Sequence, residues 1–435
     1  MTKRLLSQPG GVPSGTHVVP GDKSISHRAL LVSAIAAGRT RIENFLDGSD
    51  CRATASALRA LGVGIAFENP TRVCVIGVKR LASPRAPLDL GNSGTGLRLL
   101  AGLFAGHDVD VTLTGDASLR SRPMQRVARP LNEMGANVGT SADGASPLRI
   151  HGRSTLRGID YTMPVASAQV KSAILLAGLA ATEAVVVREP AVTRDHTERM
   201  LQAFGARISR EGGAIRLEPG AALRSPGQID VPGDLSSAAF LFAAAAMTPG
   251  ASVTVTGVGV NPSRAGVLDL LVRMGAKVSL ADPRETSGEP VADITVTGAT
   301  LHGITIFADD VALSVDEIPV LLAVAAIAEG ETRVLGAGEL KVKESDRLAA
   351  MVDGLVELGV SARLLDDGVC VFGGQPQGGI VDSRGDHRIA MSFAVLGQRA
   401  KGAVEILDCE NIETSFPGFA SLMQSAGLDI SETAS

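Results

Sequence analysis

Six times along this chain a helical pattern ends in an apolar residue, a glycine and a small aliphatic residue, then runs on into a strand. The copies lie at 58–63, 131–136, 201–206, 271–276, 355–360 and, more loosely, 423–428. Glycine is what such a stop requires, because the residue after the last helical turn adopts a left-handed conformation that glycine reaches cheaply. Before each copy an Ala/Leu-rich helical stretch breaks at a glycine or polar residue. Alternating Val, Ile and Thr follow, as in Val109-Asp110-Val111-Thr112-Leu113 and Ser252-Val253-Thr254-Val255. Each unit therefore reads strand–helix–strand–helix–strand–strand, with a period of roughly 70 to 85 residues, longer than solenoid repeats. A unit of that size buries a helix pair on its own small sheet. The phrase Val-Pro-Gly-Asp stands at Val19 to Asp22 and again at Val231 to Asp234, with three units between and three after. Two copies at equivalent points of a repeat mark paired crossings between two similar domains, and 435 residues exceed what one core holds.

The first crossing leads into the most chemically loaded stretch. A strand-like run over His17 to Val19 meets the Pro-Gly break, and an Ala/Leu-rich helix begins at about Ser24. Lys23, Ser24 and Arg28 thus gather at a helix start, where free N–H groups and the helix dipole favour an anion. The plainer reading makes Ser24 a cap on a surface helix. The pattern then recurs. Gly91-Asn92-Ser93-Gly94-Thr95-Gly96 opens the second unit's helix, and Ser121-Arg122-Pro123-Met124 follows, with a helix expected just after Pro123. Ser167-Ala168-Gln169 opens the third unit's helix, with Lys171 read as exposed in the plainer account. Thr193-Arg194-Asp195 adds a further cation, unless Arg194 and Asp195 simply pair.

In the second half Asp316 stands where an apolar helix begins. Lys343, Glu344, Asp346 and Arg347 crowd before the next helix, Lys343 and Arg347 at helical spacing. Arg388 opens the last. Equivalent helix ends of a repeat occupy equivalent positions, so two facing domains bring these groups to one cleft. Their ligands then carry several negative charges, and Asp316 and Glu344 are the acid/base candidates.

Composition narrows the field. A net charge of −5, no Trp and a single Tyr argue against nucleic acid, lacking both a basic face and stacking platforms. The longest apolar runs, 238–247 and 318–328, are too short to span a bilayer. Residues 1–11 carry a Lys-Arg pair without an apolar core, so no signal peptide is expected. Cys51, Cys74, Cys370 and Cys409 are scattered, which fits free thiols in a reducing cytoplasm. No His pair or carboxylate cluster has metal spacing, so no metal and no cofactor is expected.

Pro-Gly-Asp-Lys-Ser, Gly-Asn-Ser-Gly-Thr-Gly, Ser-Arg-Pro-Met, Ser-Ala-Gln-Val-Lys-Ser, Val-Lys-Glu-Ser-Asp-Arg-Leu and Gly-Asp-His-Arg occur in that order. In their combination the chain resembles the 5-enolpyruvylshikimate-3-phosphate synthases (3-phosphoshikimate 1-carboxyvinyltransferases), nearly end to end. The resemblance implies a two-domain inverse α/β barrel, each domain of three βαβαββ units, with the ligand cleft between them. One domain would be 21–232; the other would be 233–435 together with 1–20. It also implies transfer of the enolpyruvyl group of phosphoenolpyruvate to the 5-hydroxyl of shikimate 3-phosphate. Matched by motif, Lys23, Ser24, Arg28, Ser167, Ala168, Gln169, Arg194, Asp316 and Lys343 would hold shikimate 3-phosphate. Lys23, Gly94, Arg122, Gln169, Arg347 and Arg388 would hold phosphoenolpyruvate, and Asp316, Glu344 and Lys23 would carry the proton transfers. A cytoplasmic monomer without membrane or nucleic-acid partners is expected.

Two departures stand out. Part of the family has a basic residue just before a Thr/Ser-Phe-Pro near its C-terminus, where this chain reads Glu413-Thr414-Ser415-Phe416-Pro417. A branch of the family carries alanine in the Gly-rich turn and tolerates glyphosate; here the residue is Gly94, which implies sensitivity. The nearest rival, a UDP-N-acetylglucosamine enolpyruvyltransferase, would need a loop cysteine near 116–122, and none is there. The other rival, a non-catalytic anion-binding relative, would lack the acid/base carboxylates.

Overall fold

The computed structural model describes residues 3–220 and 222–434. Among them lie six four-stranded sheets of one topology. In the second unit Leu88–Asp89 runs parallel to Asp110–Thr114, with Leu88 opposite Leu113. Asp110–Thr114 is antiparallel to Leu148–His151, which pairs antiparallel with Asn137–Gly139. The strand order is thus first, second, fourth, third, and the third unit repeats it over Asp160–Thr162, Val185–Arg188, Ala214–Leu217 and Ile208–Glu211.

Three sheets are completed by strands from elsewhere in the chain. Gln228–Asp230 lies parallel to Arg39–Glu43, with Ile229 opposite Ile42, and supplies the first unit's missing strand. Ser14–His17 does the same for Ser252–Gly259, with Thr16 opposite Thr254. Lys3–Ser7 fills the sixth sheet between Val404–Leu407 and Ile430–Ala434. The strand expected at His17 to Val19 therefore lies earlier. Pro20 has no N–H for a ladder, and Val19 goes into the core, 2% exposed.

All six helix-stop glycines take the left-handed conformation: φ is +92° at Gly62, +98° at Gly135, +94° at Gly205, +109° at Gly275, +76° at Gly359 and +96° at Gly427.

By their contacts the residues form two units. One is Gly21–Val231 with Glu285–Glu289; the other is Met1–Pro20, Pro232–Arg284 and Pro290–Ser435. Each has a separate apolar core: Leu30, Phe104 and Leu175 belong to the N-terminal one, Phe242, Leu321 and Phe393 to the C-terminal one. Each core is built on three helices, one per repeat. In the N-terminal unit these are α1 (Lys23–Ile35), α2 (Gly94–Ala105) and α3 (Ala168–Gly178); in the C-terminal unit, α4 (Leu235–Ala246), α5 (Ile318–Ala325) and α6 (His387–Gly397). They are buried along nearly their whole length, as helices enclosed by their own domain are: every residue of α4 is buried. Helices α2 and α3 cross at Gly102, where an added Cβ would lie 2.2 Å from Ala173 O. Pro123 is followed by the helix Gln125–Glu133, close to where it was expected. No helix among the described residues is long and apolar enough to cross a membrane.

Candidate active site

Central helices that are buried along their length leave their first turns as the places where polar side chains gather. Five of the six starts are closed by a short side chain accepting a backbone N–H. Asp22 caps Ile25 N, Ser93 caps Gly96 N, Ser167 caps Val170 N, Asp234 caps Ser236 N and Asp386 caps Arg388 N. At α1 the cap is therefore Asp22, not Ser24, so Lys23 and Ser24 lie within the first turn.

In the N-terminal unit Lys23 Nζ lies 3.1 Å from Asp50 Oδ2. Arg28, only 2% exposed, donates from Nε to Thr197 Oγ1 (2.7 Å), from Nη2 to Ser172 Oγ (2.9 Å) and from Nη1 to Ser24 O (2.8 Å). Burial pushes its guanidinium down to about 10, against the pull of Glu198 and Asp22. His27 is fully buried, its Nδ1 2.9 Å from Thr54 Oγ1. Burial, then Lys23 and Arg28, lower it to about 3, so it is neutral at physiological pH.

A second cluster forms where α2 meets α3. Arg98 Nη1 donates to Gln169 Oε1 (2.5 Å), and Gln169 Nε2 donates to Thr95 Oγ1 (2.9 Å). The amide of Gln169 is thus oriented at both ends. Arg122 donates from Nη2 to Asn92 Oδ1 (2.7 Å). Gly94 sits against both arginines: an added Cβ would lie 2.8 Å from Arg122 Nη1 and 3.2 Å from Arg98 Nη1. Arg194 precedes the helix His196–Ala203, while Asp195 is engaged by Arg199 at 2.9 Å. Lys171 is fully buried rather than exposed, between Glu189 and Glu198.

In the C-terminal unit Arg347, 2% exposed, is the hub. Its Nε donates to Asp386 Oδ2 (2.9 Å), Nη1 to Asp316 Oδ1 (3.1 Å) and Nη2 to Glu344 Oε2 (2.5 Å). Burial alone would lower its pKa, but the three carboxylates, Asp386 foremost, raise it well above the ordinary arginine value. Arg388 donates from Nη1 to Asp316 O (2.9 Å), with Nε 3.6 Å from Asp316 Oδ1. Lys343 and Arg347 do not share a helix face. Lys343 ends the 3₁₀ turn Gly338–Val342, whereas Arg347 begins the helix Arg347–Glu357, capped by Asp346. Burial lowers the Lys343 ammonium, with the Asp316 carboxylate opposing.

Together these clusters match the ordered motifs of one family along the whole chain. The family model described as EPSP synthase (3-phosphoshikimate 1-carboxyvinyltransferase) matches residues 8–423. The chain belongs to the EPSP synthase family. It is 53% identical to the 3-phosphoshikimate 1-carboxyvinyltransferase of Methylococcus capsulatus, over 97% of each chain. It is 54% identical to that of Halorhodospira halophila, over 97% of this chain and 96% of that one. The solved EPSP synthase of Acinetobacter baumannii superposes with a TM-score of 0.88 at 45% identity, covering 100% of both chains. The enolpyruvyl transferase NikO from Streptomyces tendae shares the fold alone, at 18% identity and a TM-score of 0.80. The fold is thus the family's two-domain α/β architecture.

Several polar groups in these clusters were not singled out from the sequence. Arg98 lies two residues beyond Gly96, and a cation one turn into a Gly-rich helix start was the available signal. Glu317, next to Asp316, is 1% exposed and accepts the Ser236 hydroxyl. Arg264 and Arg388 each lie 3.9 Å from its Oε1. Arg264 also donates to Asp234 Oδ1 (3.0 Å), the cap of α4. At the C-terminal departure Thr414 donates to Asn411 O (2.6 Å), and Glu413 pairs with Lys3 from the N-terminal strand (2.7 Å). The four cysteines are buried, and none forms a disulfide among the described residues.

Proposed function

We propose that this chain transfers the enolpyruvyl group of phosphoenolpyruvate to the 5-hydroxyl of shikimate 3-phosphate, releasing phosphate. The observation that carries the mechanism is Arg347, buried and bonded to both acid/base candidates, Asp316 and Glu344, in a chain about half identical to named 3-phosphoshikimate 1-carboxyvinyltransferases.

The acceptor oxygen adds to C2 of phosphoenolpyruvate while C3 gains a proton, giving a tetrahedral intermediate. A proton then leaves the C3 methyl and the C2–O bond to phosphate breaks. Asp316 takes the hydroxyl proton, yields it to solvent and then takes the methyl proton, while Glu344 delivers the proton to C3 and is reprotonated from solvent as phosphate leaves. Lys23 stabilises charge on the bridging oxygen. Lys23, Ser24, Arg28, Ser167, Ala168, Gln169, Arg194, Asp316 and Lys343 hold shikimate 3-phosphate. Lys23, Gly94, Arg122, Gln169, Arg347 and Arg388 hold phosphoenolpyruvate. The enzyme works in the cytoplasm as a monomer, without metal, nucleic acid or membrane, a reading that the acidic composition supports.

Phosphate release from phosphoenolpyruvate tests this, with shikimate 3-phosphate or UDP-N-acetylglucosamine as acceptor and EDTA throughout. Release is expected with shikimate 3-phosphate alone. Release only with the nucleotide sugar would overturn the acceptor assignment, and silence with both would overturn the chemistry.

A further inference from the structure

Helix α3 carries a charged group that this reaction scheme does not use. Lys171 has no solvent exposure, one turn beyond Ser167, whose carbonyl accepts its backbone N–H. Its ammonium lies 2.7 Å from Glu198 Oε1 and 3.1 Å from Glu189 Oε1, and donates to Thr193 O at 3.3 Å. The partners come from two places. Glu198 is on the helix His196–Ala203; Glu189 and Thr193 bracket the loop that leads to Arg194. That loop is cross-tied, because the Thr193 hydroxyl donates to Glu189 and Arg210 lies 2.9 Å from the other Glu189 oxygen.

A buried ammonium between two carboxylates is a costly way to stabilise a fold, and an aliphatic side chain would suit the surrounding core more simply. What lysine adds is geometry. Three donors on one nitrogen reach three oxygens and fix the main chain one residue before Arg194. The next residue on the helix, Ser172, accepts from Arg28 Nη2 and Thr197 Oγ1. The dipeptide Lys171-Ser172 therefore anchors the surroundings of both Arg194 and Arg28. Arg122, by contrast, is held by Asn92 and Ser118.

We propose that Lys171 is a positioning residue for Arg194, setting the affinity for the phosphorylated acceptor without touching it. The inference rests on the assignment of Arg194 to that substrate. Two variants test it: Lys171→Arg, which keeps the charge but replaces a compact three-donor head by a planar fork, and Lys171→Met with Glu198→Gln, which removes the cation and one partner charge together and leaves Glu189 to Arg210. In each, the KM for shikimate 3-phosphate is expected to rise about tenfold or more. The KM for phosphoenolpyruvate and kcat should stay within about threefold of wild type. Arg194→Ala alone should also raise the acceptor KM, yet add less than about threefold in either Lys171 background, because residues acting through one another are not additive. An unchanged acceptor KM in Lys171→Arg overturns the proposal, as does full additivity with Arg194→Ala. Wild-type acceptor KM in Arg194→Ala removes the assignment of Arg194 and the proposal with it.

Discussion

Arg28 and Arg347 are equally buried, 2% exposed each, and each sits in the first turns of a helix of its own unit. Their surroundings are opposite. Arg28 is held by two hydroxyls and a backbone carbonyl, and burial lowers its pKa to about 10. Arg347 is held by three carboxylates, which raise it. A cation with neutral hydrogen-bond partners keeps its charge for an incoming anion. A cation ringed by carboxylates instead fixes those carboxylates in place, ready for proton transfer. Arg28 is thus suited to meet an anion, whereas Arg347 is suited to hold carboxylates in a fixed geometry.

The largest way to break the contrast is Arg347→Met. Removing the shared partner leaves three carboxylates without their cation, so a stability loss of about 3–5 kcal/mol is expected. Urea unfolding reads it, alongside turnover reduced beyond detection. A stable Arg347→Met protein would show that the carboxylates do not depend on the arginine. Glu344→Gln comes next. With the arginine still paired to Asp386 and Asp316, the fold should be nearly unchanged while kcat falls about 100-fold or more, the range for losing a general acid. Stopped-flow turnover against pH checks it, and a retained kcat would exclude the role. Arg28→Met should act in the reverse proportion. Three hydrogen bonds to neutral groups are worth about 2–3 kcal/mol together, while the KM for shikimate 3-phosphate rises far more than that for phosphoenolpyruvate.

Gly94→Ala sharpens the comparison within the N-terminal unit. The new methyl would sit 2.8 Å from Arg122 Nη1, so the arginine must shift. The wild-type enzyme should be inhibited by micromolar glyphosate, with the variant markedly less sensitive and its KM for phosphoenolpyruvate raised by about tenfold. Millimolar inhibition constants unchanged by the substitution would remove the assignment. The last effect is on stability and is confined to pH below 6.5, absent at neutral pH. His27 is held at about 3 when folded, from 6.5 when free, so the unfolded state binds the extra proton first. Its contribution is complete above pH 6.5 and drains by about 1.4 kcal/mol per unit as pH falls toward 3. Denaturation midpoints of His27→Asn should decline less steeply than wild type across that window, and parallel slopes would refute the assignment.

The repeat was open to a reader of the sequence because its signals are local. A glycine that must be left-handed, as at Gly135 or Gly359, marks a helix end whatever surrounds it. Lys23, Arg122, Gln169 and Arg347 could be picked out because each stands by a recognisable helix start. Lys171 was not legible for the converse reason: in the plainer account of its neighbours it is an exposed residue after a cap, while Glu189 and Glu198 reach it only through the packing of a loop and a second helix. Glu317 was overlooked beside Asp316 because its partner, Ser236, is 81 residues away.

Sequence by itself determined the six-unit plan, the places where helices begin and end, and the chemical inventory at those starts, since propensity, capping and glycine conformation act over a few residues. Tertiary structure alone decided which strand completes which sheet, as when Gln228–Asp230 joins Arg39–Glu43 and Lys3–Ser7 enters the sixth sheet. It alone decided that Asp22 and not Ser24 caps α1, and which cations are matched by carboxylates and which by hydroxyls. Those outcomes depend on burial and on partners far apart in the chain, where the cost of an unpaired charge, rather than any local preference, selects the arrangement.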